Sequence, residues 1–248
     1  MKIIAVYNIK GGVGKTATSV NLAYLASREG RRVLIWDLDP QGASSFYFRT
    51  RPRVKGGVDN LLQHKKHFGD NIKATDFENL DILPADFSYR HMDLELEDTS
   101  KPTRRLRKLL NTQRDEYDLI ILDCPPSISL VSENVFISAD ALLIPTIPTT
   151  LSLRTLEQIY MYFDKHGLKG SRLFPFFSMV DRRKSLHRLI LDNPPRKFHG
   201  FLHSAIPYSS DVERMGIARQ PLPLYCHRGP AYEAYASLWD EIKDLLQL

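Results

Sequence analysis

Seven consecutive positions near the start of the chain, Lys10, Gly11, Gly12, Val13, Gly14, Lys15 and Thr16, combine two lysines, three glycines and a hydroxyl. This order of residue types suits a polyphosphate. The glycines remove side chains that would keep an anion from the backbone, so their N–H groups can turn inward around phosphate oxygens; Lys15 can reach the outer phosphates, and Thr16 offers its hydroxyl to Mg²⁺. Three carboxylates stand at places that could complete such a site: Asp37 and Asp39 in the DLDPQ run from 37 to 41, and Asp123 at the end of DLIILD from 118 to 123. An acid that ends a buried strand beside a phosphate loop has the form of a Walker-B element, which holds Mg²⁺ through bound water. A helix cap or turn accounts for one of Asp37 and Asp39, and less well for the pair.

These residues need a scaffold that brings strand ends together. Ile3 to Tyr7, Val33 to Trp36, Leu119 to Leu122 and Ala141 to Ile144 are continuous apolar runs without alternation, as strands of a parallel sheet covered on both faces show. Between them the periodicity predicts helices over about 15–29, closed by Gly30, and over about 152–166, closed by Gly167. Further strands are expected at 80–83, 173–180 and 201–206, an amphipathic helix at 104–110, and a last helix at 230–246. The segment 46–78 is the least legible, and 93–99 reads as a loop or helix start. The expected fold is therefore α/β: a mostly parallel twisted sheet with helices on both faces, of the P-loop NTPase type, in one domain over 1–248. In such sheets ligands sit at the carboxyl ends of the strands.

Composition narrows the class. Of 248 residues, 43% are hydrophobic and 25% charged, which are ordinary globular values and exclude wholesale disorder. No apolar stretch approaches the roughly 20 residues of a membrane span, and the first residues enter a core strand without a cleavable leader, so a cytoplasmic protein is expected. The two cysteines, Cys124 and Cys226, lack the spacing for zinc or an iron–sulfur cluster. An excess of 34 Lys and Arg over 29 Asp and Glu permits an acidic partner without establishing one.

The plain phosphate-loop pattern is not met, because Ile9 stands where it wants a glycine. KGGVGKT at 10–16 instead resembles the deviant Walker-A motif of the ParA/MinD group of P-loop ATPases. DLDPQG at 37–42 and ILDCPPS at 121–127 extend the resemblance, with looser matches at 141–148 and 206–222. The resemblance to ParA-type partitioning ATPases implies ATP and Mg²⁺ as cofactors, an ATP-sandwich homodimer, non-specific DNA binding that associates the protein with the nucleoid, and hydrolysis stimulated by a ParB-like adaptor. Residue by residue it implies that Lys10 reaches the partner's nucleotide, Lys15 holds its own β- and γ-phosphates, Thr16 ligates Mg²⁺, Asp39 positions the attacking water, and Asp37 and Asp123 complete the outer shell of Mg²⁺. Backbone groups from Gly11 to Ala17, Val13 included, would contact phosphates, and Ser178, Met179 and Pro207 would lie around the adenine.

Ala17 departs from the pattern, since a threonine often follows the Mg²⁺ ligand; its hydroxyl contact to the α-phosphate is missing. The N-terminal DNA-reading domain of longer plasmid relatives has no counterpart before the first strand, so DNA binding is expected from the ATPase surface. The candidate basic sets are Arg182, Arg183, Lys184 and Arg188, then Arg196 and Lys197, then Arg214 and Arg219. The main rival is a MinD-like regulator of division or of a protein cluster, acting at a membrane or protein surface. Against a lipid anchor, the last helix carries Glu233, Asp240, Glu241 and Asp244 against Lys243, the reverse of a basic amphipathic face. An iron–sulfur carrier would need cluster cysteines, and a scaffold without catalysis would not need Asp39 and Asp123.

Overall fold

The computed structural model describes residues 1–63, 65–168 and 172–248. In chain order the elements are β1 (Lys2–Val6), α1 (Lys15–Arg28), β2 (Val33–Asp37), α2 (Ala43–Tyr47), α3 (Gly57–Gln63), α4 (Lys65–Asp70), β3 (Lys73–Ala74), β4 (Leu80–Leu83), α5 (Met92–Glu97) and α6 (Arg105–Leu110). They continue with β5 (Leu119–Asp123), α7 (Leu130–Ser138), β6 (Ala141–Thr146), α8 (Thr150–Lys165), β7 (Leu173–Val180), α9 (Ser185–Asp192), β8 (Ala205–Pro207), α10 (Ser210–Ala218) and α11 (Pro230–Leu246). The strands form one sheet in the order β3-β4-β2-β5-β1-β6-β7-β8. Every pairing is parallel except β3 with β4 at the edge.

The continuous apolar runs are divided by the strand pleat between two cores. Ile3, Ala5, Tyr7, Leu34, Trp36, Ile120 and Leu122 face one side, where α3 to α8 supply Leu61, Phe68, Leu96, Leu106, Val135 and Ile159. Ile4, Val6, Val33, Ile35, Leu119 and Ile121 face the other, covered by Val20, Leu22 and Ala23 of α1 and by Tyr235, Leu238, Trp239 and Ile242 of α11. The period of two in a strand thus feeds two helical layers from one unbroken hydrophobic run. Among the described residues, no helix is long and apolar enough to cross a membrane.

Two local expectations change. The segment at 93–99 is helical over its first part as α5, with Met92 and Leu96 one turn apart and buried, and Asp93 accepting the Val131 N–H of α7 at 2.9 Å. The strand expected over 201–206 shrinks to Ala205–Pro207. The N–H groups of His203 and Ser204 donate instead to the Glu241 carboxylate of α11, at 2.7 and 3.0 Å, which takes donors that a longer ladder would use.

Candidate active site

β1 ends at the centre of the carboxyl edge, and the chain turns through the glycine loop into α1. Gly12 and Gly14 have φ of +68° and +92°, values that L side chains rarely adopt. Gly14 caps α1, and a Cβ there would stand 2.9 Å from the Ser178 hydroxyl of β7. The Asn8 side chain braces the entrance, donating to the Pro145 carbonyl on β6 and accepting from the Lys10 N–H, both at 2.9 Å. The resulting cradle ends on the N-terminus of a 14-residue helix, whose dipole and free first-turn N–H groups favour an anion.

The two lysines of the loop diverge. Nζ of Lys15 donates to the Lys10 carbonyl at 3.1 Å, across the mouth of its own loop. Its side chain is largely buried, and burial lowers its pKa, with Asp123, Cys124 and Asp39 opposing. Nζ of Lys10 donates to Ser152 on α8 at 3.2 Å.

Beneath the loop, Asp37 and Asp123 end neighbouring strands as register partners and are fully buried. Burial raises both pKa values, and like-charge repulsion adds to it, from Asp123 on Asp37 and from Asp39 on Asp123. Both carboxylates are held by hydroxyls. Ser19 and Ser44 donate to the two oxygens of Asp123 at 3.1 and 2.7 Å. Ser45 gives its N–H and its hydroxyl to Oδ2 of Asp37, each at 2.8 Å. Oδ1 of Asp37 is buried with no hydrogen-bond partner among the described residues. An orphaned carboxylate oxygen beside a second buried acid is what a hydrated cation would satisfy, so the donor set fits Mg²⁺. Among the described residues no group of three or more His, Cys, Asp or Glu could hold a metal alone. Phosphate oxygens and Thr16 would have to supply the inner ligands.

A cleft of about 390 Å³ opens above this floor, within the usual range of small-molecule sites. Gly11, Gly12, Gly14, Lys15, Thr16, Ala17 and Asp39 line one part of it, and Ser178, Met179 and Pro207 another. Met179 has φ of +54° at a register shift between β7 and β8, a bulge that turns Ser178 and Met179 toward the cleft. Val13 is buried in the core, and Lys10, Asp37 and Asp123 lie outside the lining. The half-buried Asp39 accepts the Gln41 N–H at 3.0 Å, which steadies its carboxylate at the rim.

Sequence reading missed several participants. Ser44 and Ser45 follow the DLDPQG run after one alanine, and two hydroxyls shortly after an acid pair were the available signal. Tyr235 falls on the apolar stripe of α11, yet also lines the cleft with Tyr47, Tyr208 and Glu213. The basic candidates stand on elements that flank the cleft: Arg182 to Arg188 follow β7, and Arg214 and Arg219 lie on and after α10, whose Val212 and Glu213 form part of its wall. Several are engaged within the chain. Arg183 clamps Asp181 through two bonds of 2.9 Å and holds that carboxyl at about 2. Arg188 donates to the Arg182 carbonyl at 2.8 Å. Arg214 faces Asp211 at 3.6 Å, Arg219 lies over the Phe46 ring at 4.5 Å, and Lys197 pairs with Glu157 at 2.7 Å. Lys184 helps to lower the Asp181 carboxyl, and the Arg182 side chain is exposed with no partner among the described residues.

Residues 1–170 match the protein family described as AAA domain. The sporulation initiation inhibitor protein Soj of Bacillus subtilis is 34% identical over 97% of this chain and 98% of its own length. The chromosome partitioning protein ParA of Caulobacter vibrioides is 30% identical over 98% of this chain and 94% of its own. In three dimensions, a plasmid partition protein of Borrelia burgdorferi bound to AMPPNP superposes with a TM-score of 0.83 at 22% identity, covering 100% of this chain and 99% of that one. Sequence likeness held along nearly the whole length of both chains, joined to a phosphate cradle over two buried strand-end acids, means that the chain belongs to the Soj/ParA family of P-loop partitioning ATPases.

Proposed function

We propose that this protein binds ATP with Mg²⁺, closes on it as a homodimer, and in that state binds DNA without sequence preference, until hydrolysis stimulated by a ParB-like adaptor releases it. The observation that carries this reading is the divergence of the two lysines: Lys15 closes its own cradle, while Lys10 sends its ammonium to Ser152 and has no phosphate role left on its own side. A two-fold interface at the carboxyl edge would give Lys10 that role on the partner's nucleotide.

Within each protomer the glycine loop and the α1 N-terminus hold the phosphates, Lys15 neutralises charge on the outer ones, and Thr16 with Asp37 and Asp123 would hold Mg²⁺. When bound, the cation offsets charge that develops on the phosphoryl oxygens. Asp39 sits at the rim, where it can orient the attacking water, so alignment and charge neutralisation carry the reaction. Ser178, Met179 and Pro207 frame the space for the base.

Dimerisation supplies the gate. A few basic residues per protomer give weak non-specific affinity, around 10⁻⁴ to 10⁻⁶ M at physiological salt. Two copies of the patch on one rigid face raise it through effective concentration alone. The test is Asp39→Ala, which should retain ATP and hydrolyse it poorly. It should sediment as a dimer with ATP, and a salt titration on random duplex DNA should show markedly tighter binding with ATP than with ADP. Equal binding in the two states removes the gate. No binding at low salt in either state removes DNA, and the MinD-like reading at a membrane or protein surface takes its place.

A further inference from the structure

The nucleotide cleft has two ends of different chemistry. At the glycine loop stands Lys15, the one cation of the lining among the described residues. The far end, between β7 and α10, is walled by Met179, Ile206, Pro207, Tyr208, Val212 and Glu213. The loop, Lys15 and the buried acids would serve the phosphates of any nucleoside triphosphate, so a choice of base has to come from the far end. That step rests on the cleft being the ATP site.

Hydrogen-bonding capacity at the far end is one-sided. Pro207 has no N–H, and the Tyr208 N–H is spent on the Val180 carbonyl at 2.9 Å. The Tyr208 hydroxyl donates to Oε1 of Glu213 at 2.6 Å, and that bond raises the phenol's pKa, so the proton stays on Tyr208. Oε2 of Glu213 has no partner among the described residues. The other polar side chains there are hydroxyls, such as Ser178 against Gly14 and Ser209, which accepts the Asp211 N–H at 3.1 Å and caps α10. A hydroxyl donates or accepts and does not discriminate, whereas a carboxylate only accepts.

The two purines differ in what they offer such a group. Adenine carries an amino donor at C6, and guanine carries a carbonyl acceptor at the same position. A free carboxylate oxygen therefore attracts the first and repels the second. Guanine has another way to meet a carboxylate, through its N1–H and its 2-amino group, two parallel donors that need both oxygens. Tyr208 holds one of those oxygens, which closes that route.

We propose that Glu213, with one carboxylate oxygen capped by Tyr208, selects adenine over guanine in this cleft. The turn from β8 into α10 makes the pair: Pro207 ends the strand, Ser209 caps the helix, and Glu213 on the first turn comes back beside Tyr208 with Val212 on the same wall. Both side chains are exposed, Tyr208 by 48%, so exchanging them leaves the fold standing. Their bond thus serves the cleft more than the core.

The test is calorimetry on the full chain with Mg²⁺ and each of ATP, GTP and ITP. Wild type should bind ATP about a hundredfold tighter than GTP. Glu213→Gln, whose amide presents either an oxygen or an NH₂, should bring the two within about threefold. Tyr208→Phe frees Oε1 and should tighten GTP about tenfold, without the same gain for ITP, which has the N1–H and lacks the 2-amino group. Melting curves of both variants should overlay that of wild type. Wild type that binds ATP and GTP alike, or Glu213→Gln that keeps the full preference for ATP, overturns the inference and leaves the ATP site intact. A Tyr208→Phe variant in which GTP gains nothing, or ITP gains as much, overturns the capping role. Wild type that binds no ATP removes the nucleotide reading of the cleft, and this inference with it.

Discussion

Ser44 of α2 donates its hydroxyl proton to Oδ2 of Asp123 at 2.7 Å, joining the segment that carries Asp39 to the acid that closes β5. Its neighbour Ser45 does the same for Asp37 and also accepts the Ala85 N–H at 2.9 Å. The two serines make the DLDPQG turn and the paired strand ends one unit. Ser44→Ala should therefore cost about 1.5–3 kcal/mol of stability, the usual value for a hydrogen bond to a charged group. It should also raise the Mg²⁺ concentration needed for ATP turnover. Melting curves and a Mg²⁺ titration check both; a normal Mg²⁺ dependence would leave Ser44 with a purely structural role.

Asp37 and Asp123 should make the metal-free protein less stable as pH rises. Both are raised above the ordinary carboxylate value of about 3.9 by burial and like charge. Between that value and the raised ones the folded state holds more protons than the unfolded state. The contribution is thus fully present below about 3.9 and lost as pH climbs through the folded values. Asp37→Asn removes one charge while its amide oxygen can still accept from Ser45. Its Tm should exceed that of wild type at pH 8 by several degrees, at about 2–4 °C per kcal/mol. Mg²⁺ with nucleotide should then stabilise wild type and not the variant.

Gly14 tests the cradle itself. With φ of +92° and a 2.9 Å approach to Ser178, an added Cβ meets strain from the backbone and from a buried hydroxyl. Gly14→Ala should cost about 1–3 kcal/mol and weaken ATP binding tenfold or more by calorimetry. Adding Ser178→Ala relieves the contact and leaves φ unchanged, so the double variant should recover part of the affinity. Full recovery would assign the whole effect to the Ser178 contact.

How much of this was legible follows from where the information resides. β1, β2, β5 and β6 could be read because strands buried on both faces must be apolar throughout, and the glycine loop because few other structures need those residues at that spacing. The hydroxyl clamp on the acids was not legible. Ser44 and Ser45 matter through contacts 79 and 8 residues away, and serine is common in any turn. The short β8 was misjudged for a similar reason: Glu241 captures its donors from 38 and 37 residues along the chain, which no local pattern records.

Lys10 carries the last prediction. Its ammonium is 3.2 Å from the Ser152 hydroxyl, a neutral partner that returns little of the Coulomb energy a phosphate would give. Exchange of Ser152 for a phosphate oxygen of the partner's nucleotide is therefore downhill once two protomers meet. In the Asp39→Ala background, ATP should yield a dimer by sedimentation, and adding Lys10→Ala should return it to monomer with ATP still bound, because Lys15 serves the protomer's own phosphates. Ser152→Ala should leave the dimer intact or favour it slightly, since Lys10 then has nothing to leave behind. A Lys10→Ala variant that stays dimeric at the same concentration would place the dimer contacts elsewhere, and one that loses ATP as a monomer would put Lys10 in its own cradle.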